Sequence, residues 1–295
     1  MPTNRLTVLL AGRPALIDGG YGWLLQERGL PPGVVAEQWN LENAEAISAL
    51  HDEYATAGAQ VLTTNTFGGT RARLSMNGLE DQVHEVNRAG AAVARTVADR
   101  HGILVAGDLG PTGELLEPLG TLTEEDAVAM YVEQLRGLVE GGIDLVLIET
   151  MSDLGEARAA ITAAQQVAPD LPIIATMSFD TNLRTMMGVT PTAAVHALAE
   201  AGADAVGANC GRGPEEMIRI AAELVAARGA DDSVLLVAQS NAGLPQVHGD
   251  AFAYTVDPPA MGAHAQELRE AGIDLIGACC GSSPEHIRAI ATALN

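Results

Sequence analysis

Four segments of this chain carry the same short turn: Ala57-Gly58-Ala59-Gln60, Gly141-Gly142-Ile143-Asp144, Ala201-Gly202-Ala203-Asp204 and Ala271-Gly272-Ile273-Asp274. Each closes a stretch rich in Ala, Leu and Glu and opens a short apolar run. A glycine at that place stops a helix by taking the left-handed conformation and turns the chain into a strand. One device used four times implies a repeated strand–turn–helix unit. Eight candidate strands follow: Ala15–Asp18, Gln60–Thr64, Ile103–Gly107, Asp144–Glu149, Ile173–Ser178, Ala205–Asn209, Val234–Gln239 and Leu275–Cys279. Most are continuous apolar runs, the pattern of parallel strands covered on both faces. Eight units predict a single (β/α)8 TIM barrel of α/β class, one domain over residues 1–295. The competing architecture is an open, doubly wound sheet. No Gly-x-Gly-x-x-Gly opens a helix after the first strand, so a dinucleotide-binding fold has no support.

Helix starts are marked as well. Thr123-Glu124-Glu125-Asp126 offers an N-cap followed by acids in the first turn. Pro191, Pro214 and Pro284 stand where a first helical residue belongs. The longest irregular stretches, Gly107–Leu122, Phe179–Thr190 and Ser240–Pro258, all follow strands. They belong on the C-terminal face of a barrel, where active sites of this architecture are built.

Bulk properties exclude several functions. The formal charge of −22 repels nucleic acid and anionic membrane surfaces, so neither is an expected partner. No apolar run reaches the roughly 20 residues needed to cross a bilayer. Met1 to Arg13 lacks the continuous apolar region and cleavage site of a secretory signal. Three cysteines cannot all pair, which suits a reducing cytoplasm. All sixteen basic residues are arginine. The absence of lysine excludes a Schiff-base aldolase and leaves phosphate binding to arginine or backbone.

The cysteines concentrate the chemistry. Cys210 ends the sixth candidate strand in Val206-Gly207-Ala208-Asn209-Cys210-Gly211. Cys279 and Cys280 end the eighth in Ile276-Gly277-Ala278-Cys279-Cys280-Gly281. Even-numbered strands contribute to the same interior layers of a barrel, so the two places can converge at one mouth. Cys280 joins Cys279 only if the strand is already breaking there, which Gly277 and Gly281 permit. Three thiolates on zinc leave one position open, and an open site is catalytic. A thiol entering that position is deprotonated and stays nucleophilic. Two other readings stay open from spacing alone: inert buried thiols, and a Cys279-Cys280 pair cycling between dithiol and disulfide in a redox or metal-sensing protein.

Seven segments occur in a familiar order: Asp18-Gly19-Gly20, Thr63-Thr64-Asn65-Thr66-Phe67, Gly107-Asp108-Leu109-Gly110-Pro111-Thr112, Leu147-Ile148-Glu149-Thr150, Gly207-Ala208-Asn209-Cys210, Ser240-Asn241-Ala242-Gly243-Leu244-Pro245 and Gly277-Ala278-Cys279-Cys280-Gly281. With them the chain resembles the homocysteine S-methyltransferase family over about Leu16 to Ile290. The resemblance implies a zinc-dependent methyltransferase that makes L-methionine from L-homocysteine. It implies Cys210, Cys279 and Cys280 as Zn2+ ligands. Asp18 and Glu149 then match acids that hold the substrate ammonium, and paired carboxylates suit that cation. Gly19, Thr66, Ser178 and Asn241 are candidate contacts or supports for the substrate carboxylate, and Asn209 a candidate to orient the neighbouring ligand.

The methyl donor stays open. Tyr21, Trp23 and Trp39 cluster in the first unit of a chain with only 3% aromatics. They are candidates for a cation–π cage around a methylated onium donor of the betaine or S-methylmethionine type, or for a simple cover over the barrel mouth. Gly113-Glu114-Leu115-Leu116-Glu117-Pro118 and Thr185-Met186-Met187-Gly188 are closer to the corrinoid-linked branch. A methylcorrinoid donor would arrive on a separate protein.

Overall fold

The computed structural model describes Leu6 and residues 15–229, 233–248 and 251–295. The N-terminal stretch Met1 to Arg13, read above for a secretory signal, lies outside the described residues apart from Leu6, and the irregular stretch Ser240–Pro258 contains two more that do, 249 and 250. The strands are β1 (Ala15–Leu16), β2 (Val61–Thr63), β3 (Leu104–Leu109), β4 (Leu145–Met151), β5 (Ile173–Met177), β6 (Ala205–Cys210), β7 (Leu235–Ser240), a hairpin of β8 (Gln246–His248) and β9 (Ala251–Ala253), and β10 (Leu275–Ala278). Eight of them form one parallel sheet in the order β1-β10-β7-β6-β5-β4-β3-β2. A parallel bridge between Ile17 and Val61 joins the two ends. Gln60 N–H donates to Leu16 O at 2.8 Å and Asp18 N–H to Val61 O at 3.2 Å across the same seam. The sheet is therefore a (β/α)8 barrel. All eight expected strands are present, with ends shifted by one or two residues. The hairpin β8–β9, inside the stretch read as irregular, has no counterpart in the strand pattern.

Eight helices alternate with the barrel strands: α1 (Ala44–Ala57), α2 (Val83–His101), α3 (Glu124–Gly141), α4 (Leu154–Val167), α5 (Pro191–Ala201), α6 (Pro214–Arg228), α7 (Pro258–Ala271) and α8 (Pro284–Leu294). Thr123 caps α3 by accepting from Asp126 N–H at 3.1 Å. Pro191, Pro214 and Pro284 open their helices. The repeated turn is built as expected: Gly58, Gly142, Gly202 and Gly272 are all left-handed, with φ of 113°, 96°, 102° and 103°. The fourth residue of that turn has a task of its own. Asp144 accepts from Val105 N–H, Asp204 from Ile173 N–H and Asp274 from Leu236 N–H, at 2.9, 2.8 and 2.8 Å. Gln60 does the same for Leu16 N–H at 3.0 Å. Each pins an N–H of the first or second residue of the neighbouring strand at the bottom of the barrel, where it would otherwise be orphaned.

Strand alternation divides the core in two. Ala15, Ile17, Val61, Ala106, Leu145, Leu147, Ile174, Ala205, Val237 and Leu275 form one buried cluster. Their alternates Leu16, Leu62, Val105, Val146, Ile148, Ala175, Val206, Leu236 and Ile276 belong to a larger cluster with the helices. The first set fills the barrel and the second packs the sheet against its outer shell. Continuing the inward set toward the C-terminal ends reaches Thr63, Asp108, Glu149, Thr176, Asn209, Gln239 and Cys279. The interior thus changes from apolar to polar in a single layer, and that layer is the floor of the site.

Candidate functional site

Above this layer opens a cavity of about 590 Å³. Its wall includes all three cysteines, Gly19, Tyr21, Thr66, Asp108 and Glu149, and on the far side Glu37 and Arg73. The thiols form a triangle: Cys210 Sγ lies 3.1 Å from Cys279 Sγ and 3.9 Å from Cys280 Sγ, and Cys279 Sγ lies 4.0 Å from Cys280 Sγ. None of these separations is the roughly 2.05 Å of a disulfide, and all three cysteines are free thiols.

Strand geometry alone does not bring these sulfurs together. Asn209 and Cys279 face inward by alternation, so Cys210 and Cys280 would face out. Two local departures turn them in. Cys210 adopts the left-handed conformation at φ 61°. Strand β10 ends at Ala278, so Cys279 and Cys280 already lie in a turn, completed by Gly281 at φ 77°. Asn241 ties the two turns together: its amide donates to Gly211 O at 2.7 Å and accepts from Cys280 N–H at 3.0 Å. Gly20 fits against this assembly because a Cβ there would lie 2.7 Å from Cys279 O.

The three thiols share charge. Donation from Cys210 and Cys279 holds Cys280 far below the usual thiol range, at about 3. Contact with Cys210 and Cys280 pushes Cys279 well up. The donor set of the cluster fits a thiophilic divalent ion: tetrahedral zinc at about 2.3 Å from each sulfur places the sulfurs about 3.8 Å apart, and the sulfurs here are 3.1 to 4.0 Å apart.

Asp18 is buried and held on both oxygens. Thr63 donates from N–H to Oδ2 at 2.8 Å and from Oγ1 to Oδ1 at 2.7 Å. The Tyr21 hydroxyl also donates to Oδ2, at 2.5 Å, and lies 2.8 Å from His51 Nδ1. Burial outweighs these donors and raises the Asp18 carboxyl to about 7. Burial, then the nearby Cys280 and Asp18, raises Glu149 to about 8. Burial alone lowers His51 to about 3, so it is the neutral partner of Tyr21.

Asn209 is the hub of the mouth. Its Oδ1 accepts from Thr150 N–H at 2.7 Å and from Thr176 Oγ1 at 2.8 Å. Its Nδ2 donates to Thr150 Oγ1 at 2.7 Å and approaches Cys279 Sγ at 3.8 Å. Thr150 needs this clamp, because it sits at φ 60°, a conformation a β-branched residue rarely adopts.

Of the other residues singled out in the sequence, Gly19 and Thr66 line the cavity, whereas Ser178 and Asn241 do not. Ser178 N–H donates to Met151 O, and the Asn241 amide is spent on the cysteine turns. Among the three aromatics only Tyr21 reaches the cavity. Trp23 packs edge-on against Tyr254 at 5.8 Å, and Trp39 is buried in the core. The structure does not gather these three into a cage. It does add Asp108 and Glu37, both buried and both on the cavity wall. Strand parity with Ala106 was the signal for Asp108. Glu37 lies in a connection without period, where no such signal exists. Among the described residues no helix is long and apolar enough to cross a membrane.

Known proteins can now be compared. MmuM, a homocysteine methyltransferase from Escherichia coli, shares the fold in its oxidized form with a TM-score of 0.81 at 23% identity, over 98% of this chain and 99% of that one. Its metallated form superposes with a TM-score of 0.80 at 23% identity, covering 97% and 98% of the two chains. Methionine synthase of Mycobacterium leprae is 31% identical over 303 residues, which is 97% of this chain; the chain spans 24% of that protein's length. The profile of the homocysteine S-methyltransferase family matches residues 15–294. The chain belongs to the homocysteine S-methyltransferase family.

Proposed function

We propose that this protein transfers a methyl group to the sulfur of L-homocysteine, giving L-methionine, at a zinc ion held by Cys210, Cys279 and Cys280. The observation that carries the reading is the triangle of three sulfurs, all within 4.8 Å of one another, on the wall of the carboxyl-lined cavity. Three protein thiolates leave a coordination position for a fourth sulfur. Zinc bound there supplies a Lewis acid that keeps the acceptor sulfur a thiolate near neutral pH. Asp18 and Glu149 hold the acceptor's ammonium. Gly19 and Thr66 line its seat. The Tyr21–His51 pair and Thr63 keep the Asp18 carboxyl aimed, and Asn209 and Asn241 keep the cysteine turns in register. Enclosure in the barrel mouth excludes water and orients the sulfur toward the donor, which supplies much of the acceleration in a transfer without a covalent enzyme intermediate.

The whole chain, 1–295, acts as one homocysteine-binding unit in this reading, in the cytoplasm. The donor is a small onium compound or a methylcorrinoid. That Tyr21 alone of the three aromatics faces the cavity weakens the case for an aromatic onium cage. The test is a donor panel with homocysteine and zinc, scored as methionine. Cys279→Ala should lose both bound zinc and turnover while the barrel stays folded; full activity in that variant would end the proposal.

A further inference from the structure

We propose that Asp108 is a third carboxyl of the acceptor site, standing beside Glu149 on the barrel floor to receive the acceptor's ammonium group. The inference rests on the reading above and adds to it a residue and a role.

The first support is placement. Asp108 follows Ala106 at the strand period, as Glu149 follows Leu147, so both side chains belong to the inward layer. Strands β3 and β4 are hydrogen-bonded neighbours, with Asp108 in register with Leu147. Both carboxyls are on the cavity wall. The backbone of Asp108 is held rigidly: its N–H donates to Thr64 Oγ1 at 2.9 Å, and its carbonyl accepts from Thr66 Oγ1 at 2.9 Å and Gln134 Nε2 at 3.2 Å. From this fixed backbone the side chain leaves on the inward face of the strand.

The second support is a missing partner. Asp108 is 4% exposed, and its Oδ1 is buried with no hydrogen-bond donor. Buried polar atoms are rarely left so, because an unmade hydrogen bond costs the full desolvation of the group. Asp18 presents the contrast, with donors on both oxygens. Among the described residues no arginine or histidine pairs with Asp108. The chain contains no lysine, and Arg73, the arginine on the cavity wall, makes no ion pair with it. Its charged neighbours are Glu149, Glu37 and Asp18, which, after burial, push its carboxyl well above the usual range. A site whose buried acids repel one another and lack a countercharge is complete when a cation enters. Homocysteine brings one cation, its ammonium, and Glu149 and Asp108 are the two inward acids of adjacent strands whose carboxyls have no protein donor among the described residues.

The zinc-loaded full-length chain tests this by calorimetric titration with two ligands: L-homocysteine, and 4-sulfanylbutanoate, which keeps thiol and carboxylate but lacks the amine. Asp108→Asn should weaken homocysteine about tenfold to a hundredfold, the loss of one charge-assisted hydrogen bond. Binding of 4-sulfanylbutanoate should be unchanged or tighter, because an unpaired acid has gone. Zinc content and melting temperature verify that the variant is intact, and Asp108→Ser serves as the second variant. Equal weakening of both ligands, or wild-type affinity for homocysteine in the variant, would overturn the role of Asp108 and leave the reaction untouched. Wild-type protein that binds neither ligand would overturn the reaction itself, and this inference with it.

Discussion

Truncating Asn209 to alanine removes three hydrogen bonds and the amide beside Cys279 at one stroke. The Thr150 N–H loses its acceptor, and the buried Thr176 hydroxyl keeps only Ile148 O, at 3.5 Å. Each buried donor left unmade costs about 1–3 kcal/mol. Thr150 also loses what holds it at φ 60°, where a non-glycine residue stores about 1–2 kcal/mol. Relaxation of that residue recovers part of the loss, so the net destabilisation expected is about 2–4 kcal/mol. Relaxation has a second effect: it shifts the peptide next to Glu149 and frees the Cys279 turn. Loss of an outer hydrogen bond of this kind typically lowers metal affinity about 10–100-fold. The reasoning is sharpened by a second substitution. Glycine accepts φ of +60° without strain. Thr150→Gly alone exchanges one hydrogen bond for relief of strain and should stay within about 1 kcal/mol of wild type. In the Asn209→Ala background it should restore about 1 kcal/mol, a measurable coupling. Urea unfolding of the four metal-free proteins and zinc competition against a chelator read both quantities. An Asn209→Ala protein with unchanged stability and zinc affinity, or strictly additive effects in the pair, would refute the clamp.

Two further outcomes follow from the same geometry. Asp18 has its folded carboxyl raised from 3.8 to about 7, so its contribution to stability is present below about pH 4 and is lost as pH rises through 7. At 1.36 kcal/mol per unit, the stability of wild type relative to Asp18→Asn should fall by about 4 kcal/mol between pH 4 and pH 7 and level off above; a flat difference would mean that Asp18 is not desolvated. Gly281 has φ 77°, and a Cβ on it would lie 2.1 Å from the Tyr254 ring. Gly281→Ala should therefore displace the Cys280 turn and reduce bound zinc, measured by metal analysis of the purified protein, with the barrel's far-ultraviolet dichroism preserved.

Periodicity made the barrel legible because each unit is local. A helix stop, an apolar run and a helix start lie within a few tens of residues, and all eight strands were placed within two residues of their ends. The hairpin Gln246–His248 with Ala251–Ala253 escaped, since a two-strand ribbon on a loop leaves no long period to read. The Asp of the repeated turn was visible as a letter. That Asp144, Asp204 and Asp274 pin an N–H of the neighbouring, earlier strand was not, because that bond joins residues more than 30 positions apart.

At the site, the residue types alone announced sulfur and carboxylate chemistry: three cysteines at strand ends, and acids delivered by apolar runs. Their convergence depended on conformation. Alternation would send Cys210 and Cys280 outward, and only a left-handed φ at one and a broken strand at the other bring the sulfurs together. Burial decided the rest. Asp108 stood in its motif without a role until the closed barrel removed its water, and Trp39, a candidate for the donor cage or the mouth cover, is enclosed in the core instead. Local pattern determines which elements form and where they stop; solvent exclusion and the partners a side chain meets are properties of the assembled fold.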